Sequence, residues 1–305
     1  MPVDKHRPRV LERGCFSQSG VVGDLEKVQK GFLRSCLGVK RSTPIAVIMK
    51  ELRRQPLSLC MLRQVLSFAE RVWWRDESDL VRVAMKESFA LASTSKKGWA
   101  YSLMKCLRLH GVVVTDPGLV CGVKCLNMED MSRQWLASMG EVSHLPADIR
   151  SVGDSNRVGF KIKKYLKWFS DSECDVSETF WSCLHRPRDI ALVAGFRMGS
   201  HSLNVETQRF ASGRPVARSQ RVCQCCRESE VEDELHIFSC PLYEEVVEDY
   251  PYLFERVIPT DISTDAKMNM CMNANGMDDP SRFWRCMAGF LYNCEKARTR
   301  ALLSG

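Results

Sequence analysis

Four cysteines and one histidine stand within CQCCRESEVEDELHIFSC, positions 223 to 240. Zinc takes four ligands in a tetrahedron and favours thiolate sulfur and imidazole nitrogen, and a C-x2-C turn delivers two sulfurs from one tight loop. Cys223 and Cys226 have that spacing. Cys225 adjoins Cys226, so the two side chains diverge, and only one residue separates it from Cys223; Cys225 is the spare thiol. His236 and Cys240 are four apart and share a face if LHIFSC is helical. Pro241 is comfortable only near a helix start, so either the pair flanks a turn or the helix proper begins at about Pro241. The expected metal set is Cys223, Cys226, His236 and Cys240, holding one structural zinc ion, with packed free thiols as the competing reading of the same spacing. Elsewhere, Cys121 and Cys125 in CGVKC have no nearby histidine, and Cys174, Cys183 and His185 lack a fourth partner; these are read as core or surface residues.

The chain that must position this cluster has 305 residues, 45% of them apolar, enough for a real core without disulfide staples. Its 15 cysteines are an odd number, and the opening MPVDKHRPRV lacks the apolar stretch of a secretory signal, so free thiols in the nucleus or cytoplasm are expected. No apolar run approaches the length needed to span a bilayer. A net charge of +7 permits an acidic or nucleic-acid partner without requiring one.

Helical periodicity dominates the first half. In GDLEKVQKGFLRSCLG the apolar positions Leu25, Val28, Phe32 and Cys36 recur every three to four residues, with Gly38 as a C-terminal stop. STPIAVIMKELRR offers Thr43 as a cap and Pro44 at the first helical position, and Pro56 ends that helix. PLSLCMLRQVLSFAERVWW carries a helical stripe, and similar patterns follow at 79 to 92 and 97 to 109. The turn-forming residues GDSN at 153 to 156 mark a soft boundary. RVGFKIKKYLKWF then interleaves lysines with aromatics, read as a buried apolar face and a solvated basic one, with a nucleic-acid-facing helix as the competing reading. The expected fold is mainly α: a disordered tail at 1–20, a helical domain at 21–153, and a helical domain at 154–305. The second domain carries a small CCHC-like zinc knuckle (223–240), a multi-helical array with the knuckle near its C-terminal third.

Three stretches resemble the C-terminal region of LINE-type (non-LTR) retrotransposon reverse transcriptases, downstream of the polymerase domain. They are LGVKRSTPIAVIMKELRRQPLSL, FRMGSHSLNVETQRF with Arg218 and Arg221 before the first cysteine, and C-x2-C…VEDELH…CPLYEEV. FLYNCEKARTR is also similar to the family's terminal helix, so the likeness covers about residues 22 to 300. It implies a zinc knuckle on Cys223, Cys226, His236 and Cys240, with Arg197, His201, Arg209, Arg218 and Arg221 beside it as nucleic-acid-binding residues. The three residues between His236 and Cys240 are one fewer than in many members. The aromatic-x-Asp-Asp motif that holds a polymerase's two metal ions is missing; Asp278 and Asp279 in GMDDP come too late and lack strand-like flanks. No catalysis is expected.

Charge is segregated around the cluster: residues 185 to 222 hold seven arginines against Asp189 and Glu206, whereas residues 227 to 249 hold nine acids against Arg227. Arginine's planar fork suits phosphate, and phosphate contacts dominate nonspecific nucleic-acid affinity. The first expectation is a non-catalytic module meeting RNA or DNA backbone, with Phe210 read either as a base-stacking side chain or as a core residue. The rival is a zinc-stabilised scaffold docking on an upstream reverse transcriptase polypeptide, or a decayed copy of the element, with the arginines pairing internally. Neither reading includes a membrane or a small-molecule substrate.

Overall fold

A computed structural model describes residues 20–109, 161, 164–165, 168–169, 179–211, 214–226, 231–257, 261, 264–274 and 277–304. The expected tail at 1–20, apart from Gly20, the boundary at 153/154 and CGVKC lie outside these residues. The elements are α1 (Gly20–Leu37), α2 (Ile45–Glu51), α3 (Leu57–Trp73), α4 (Leu80–Ser95), α5 (Gly98–Leu109), α6 (Phe180–Cys183), α7 (Pro187–Arg197), α8 (Asn204–Thr207), α9 (Glu244–Glu248), α10 (Thr264–Cys271) and α11 (Pro280–Ser304). A two-residue hairpin pairs Phe210 with Pro215 and Ala211 with Arg214. The described chain is therefore helical, as its periodicity predicts. It divides into two units: residues 1–32 with 49–159, and residues 33–48 with 160–305.

The first unit is built on apolar stripes. In α3, Leu59, Leu62, Ala69 and Val72 fall on one face because their spacings of three and seven follow the helical repeat. That face packs with Met85, Phe89 and Ala92 of α4 and with Ala100, Leu103, Cys106 and Leu107 of α5. Phe89 meets Trp99 edge to face at 5.6 Å. Asp79 caps α4 by accepting from the Val81 N–H at 2.8 Å, and Gln29 both donates to the Gln55 carbonyl and accepts from the Leu57 N–H at the start of α3.

The second unit gathers around α11, whose inner face buries Phe283, Trp284, Met287, Phe290, Leu291, Cys294 and Arg298. Helices α6, α7 and α9 all pack on it. Gly38 stops α1 as expected: at φ +61° it lets the Val39 N–H return to the Arg34 carbonyl at 3.1 Å. A Cβ at Gly38 would stand 2.5 Å from that of Ala191 on α7, so glycine is required twice over. The Lys40 N–H then donates to the Ser200 hydroxyl at 2.8 Å, seating the 33–48 segment within the second unit. Two expectations are corrected. Thr43 does not cap α2: its hydroxyl is buried with no hydrogen-bond partner among the described residues, while its N–H turns back to Lys40. The lysines of the 161–169 segment are not all solvated: Tyr165, Trp168 and Phe169 are buried as expected, but Lys161 is buried with them. Its ammonium donates to the Gly199 carbonyl at 2.5 Å and sits 2.6 Å from Glu206, a carboxylate far along the chain that overrides local amphipathicity.

Candidate metal centre

The knuckle is folded by its own backbone. Val222 and Val231 form an antiparallel bridge, and the Glu232 N–H donates to the Arg221 carbonyl at 3.0 Å, closing the loop that holds the first two cysteines. The Asp233 carboxylate accepts from the Leu235 and His236 N–H groups at 2.9 and 3.2 Å, capping a single 3-10 turn at His236–Phe238. The Cys240 N–H reaches the His236 carbonyl at 2.9 Å, so these two residues lie one above the other across that turn. Cys240 is extended, with ψ 124°, and Pro241 opens the next turn. The pair thus flanks a turn, and a new one begins at the proline.

The ligand atoms of Cys223, Cys226, His236 and Cys240 all lie within 4.8 Å of one another, and Cys226 Sγ is 3.4 Å from His236 Nε2. Metal bonds of about 2.3 Å to sulfur and about 2.0 Å to nitrogen in a tetrahedron separate the ligand atoms by roughly 3.5–3.8 Å, so the group fits one ion with small adjustments. Cys223, His236 and Cys240 are buried and Cys226 is half-buried. Burial pushes the Cys240 thiol up, which favours its neutral form until a cation is present. This buried Cys3His group can hold one metal ion, and its sulfur-rich donor set suits zinc. Four protein ligands leave no open position for a reacting water.

Cys225 stays outside the set. With Cys223 and Glu232 it forms a second group of close ligand atoms. Burial, the neighbouring Cys223 and Glu232 push its thiol up to about 11, and Glu232 is already committed elsewhere. The three consecutive acids of VEDEL each take a different basic partner. Glu232 is 1% exposed and receives Nε and Nη2 of Arg298 at 2.6 and 2.9 Å, a bidentate pair that also takes in the Asn204 N–H at 2.8 Å. Asp233 pairs with Arg218. Glu234 pairs with Lys164 and lies 2.8 Å from His201 Nε2; burial would raise its carboxyl, but these two groups outweigh it and hold the acid well below the usual range.

The residues singled out for nucleic acid are thereby placed. Arg197 is buried with its guanidinium 4.1 Å above the Phe169 ring. Arg221 is buried and donates to the Val205 carbonyl at 2.9 Å and to the Val216 carbonyl at 2.6 and 3.1 Å. His201 sits against Glu234, and Arg209 donates to Glu206 at 3.3 Å. Arg218, on Asp233, keeps the most exposure of these paired side chains at 38%. His201 and Arg218 thus meet acids of the knuckle, whereas the side chains of Arg197, Arg209 and Arg221 meet Phe169, Glu206, and the Val205 and Val216 carbonyls outside it. The side chain of Phe210 lies outside the described residues.

A different basic surface was missed. On α11 the exposed Arg282, Arg285, Lys296 and Arg300 fall within an arc of about 80° at 100° per residue. Tyr292 lies in the same arc, with the Arg188 guanidinium 4.1 Å and the Lys296 ammonium 5.4 Å from its ring. Arg282 stacks on Tyr252 at 4.4 Å. The signal was available as a helical spacing of basic residues around one tyrosine. Asp279, set aside as a polymerase carboxylate, accepts the Arg282 N–H at 2.8 Å at the start of this helix. Searches against protein-family models, curated proteins and solved structures find no match to this chain.

Proposed function

We propose that this chain is a non-catalytic nucleic-acid-binding module, akin to the C-terminal region of LINE-type reverse transcriptases, whose knuckle holds a structural zinc ion. The observation that carries the reading is the basic stripe of α11, anchored at its far end to the knuckle by the Arg298–Glu232 pair. Arg282, Arg285, Lys296 and Arg300 face solvent on a rigid helix, with Arg188 alongside and Glu295 as the acid among them. Such an array suits a phosphate backbone of RNA or DNA, with the nucleus or cytoplasm as the setting. The knuckle arginines then serve the frame, and the helix makes the contact.

The test is salt dependence. Each lost phosphate contact should reduce the slope of log affinity against log salt by about 0.7 to 0.9, so Arg285→Ala with Lys296→Ala should flatten it by nearly two such steps. A wild-type affinity indifferent to salt would end the reading. Metal analysis of the purified protein should find about one zinc that Cys226→Ser removes.

A second reading is a zinc-stabilised scaffold for a protein partner such as an upstream reverse transcriptase polypeptide. It is favoured by the exposed acids Glu244, Glu245, Glu248 and Asp249 on and just after α9. Retention of a polymerase fragment without any nucleic acid would favour it.

A further inference from the structure

The knuckle holds one thiol more than a four-ligand site uses. Cys225 belongs to the turn at 224–226, and its sulfur, Cys223 Sγ and a Glu232 oxygen all lie within 4.8 Å of one another. That second group is a poor cation site. Both Glu232 oxygens already accept from Arg298, one of them also from the Asn204 N–H, and an ion placed there would face the Arg298 guanidinium. What remains between Cys223 and Cys225 is the chemistry of two neighbouring sulfurs.

Burial gives the two thiols different roles. Cys225 is half-buried, whereas Cys223 is 3% exposed. A small-molecule disulfide can reach the first and not the second, so Cys223 meets only what is already bonded to its neighbour. A disulfide bond is about 2.05 Å long, so the sulfurs must close from at most 4.8 Å, a gap on the scale of one χ1 rotamer change. Gln224 alone separates the two cysteines, so the ring is small and its closure removes little unfolded-chain entropy. Such a bond adds little stability and yields to reductant. Burial, with Cys223 and Glu232 alongside, holds the Cys225 thiol up to about 11, which makes its attack slow at neutral pH and reserves it for sustained oxidant.

We infer that Cys223 and Cys225 form a reversible redox pair through which a small-molecule disulfide dismantles the knuckle's metal site. The inference rests on the zinc reading of the knuckle above. The Cys225 thiolate attacks the disulfide RSSR, forming a Cys225–SR bond and expelling RS⁻. The Cys223 sulfur then attacks the Cys225 sulfur, forming the Cys223–Cys225 bond and expelling the second RS⁻. The two cysteines are oxidised by two electrons, and RSSR is reduced to two thiols, which take the two protons. Cys223 is thereby lost as a ligand, and Cys226, His236 and Cys240 are left as an incomplete set.

In the test, the full chain is assayed for zinc as purified, treated with glutathione disulfide beside a chromogenic chelator, then alkylated and digested. Trypsin cutting after Arg221 and Arg227 leaves VCQCCR, whose fragment ions tell which cysteines escaped alkylation. The wild type should release about one zinc per chain, yield VCQCCR alkylated at Cys226 alone, and regain the metal on addition of dithiothreitol and zinc. Cys225→Ser, which keeps all four ligands, should carry the same zinc and lose several-fold less of it over the same time; Cys225→Ala serves if the serine variant fails to fold. Zinc retained by the wild type under oxidant, equal release from Cys225→Ser, or a bond that joins Cys226 instead overturns the redox pair and leaves the zinc site standing. A wild type purified without zinc overturns both.

Discussion

The two units are held together by different means. In the first, α3, α4 and α5 meet through an apolar cluster that runs from Leu59 to Leu107, and its ion pairs, such as Lys27–Asp24 and Arg75–Asp79, lie toward solvent. In the second, carboxylates at 1% exposure face arginine, lysine and histidine around a Cys3His group. Buried charges are costly to leave unpaired, whereas an apolar cluster loses stability gradually as it is trimmed. Half-assembled states should therefore be tolerated in the first unit and penalised in the second.

The largest expected effect comes from the metal. Structural zinc in a knuckle contributes on the order of 10–16 kcal/mol at neutral pH, comparable to the whole stability of a domain. Chelation or Cys226→Ser should strip hydrogen-exchange protection from the residues around 200–243 while α3–α5 keep theirs. Equal loss in both units would erase the distinction. Next, Arg298→Ala should destabilise the second unit by about 3–5 kcal/mol, because Glu232 is left buried and uncompensated. Replacing both partners, as Glu232→Gln with Arg298→Met, should cost less than the arginine change alone, measured by denaturant unfolding.

In the first unit Leu103→Ala should cost about 2–5 kcal/mol through the cavity it opens, and the loss should be the same with and without chelator. Gly38→Ala should cost about 1–3 kcal/mol, from its left-handed backbone and the contact with Ala191. The smallest effect is Asp79→Ala, which removes one exposed cap from α4. The Val81 N–H and Arg75 hold the Asp79 carboxyl below its ordinary range. Its contribution is therefore present above the unfolded-state pKa of about 3.9, lost as pH falls through the lower folded value, and absent from the variant at every pH.

The parts of the molecule that read well from sequence are those fixed by neighbours along the chain. The α3 stripe, the Gly38 stop and the ligand spacings are all settled within a few residues, and so is the exclusion of Cys225. The parts that did not read well depend on distant partners. Glu232 and Arg298 are 66 positions apart, and Lys164 and Glu234 are 70 apart. Nothing in a local window tells a lysine that its carboxylate lies beyond the next several helices. The arginine-rich stretch before Cys223 illustrates the same limit: density of charge along the chain does not reveal which guanidinium groups turn inward, and Arg197 and Arg221 do. The stripe on α11 is legible in principle, since the spacing of its basic residues is helical.

The clamp between residues 232 and 298 also has a consequence in time. A ribosome adding about 5–20 residues per second delivers Arg298 roughly 3–12 s after Cys240. During that interval all four metal ligands exist while Glu232 still lacks its counter-charge. Capture of the ion can thus precede closure of the fold, and a nascent chain paused in this window would present a loaded finger with one carboxylate awaiting its arginine.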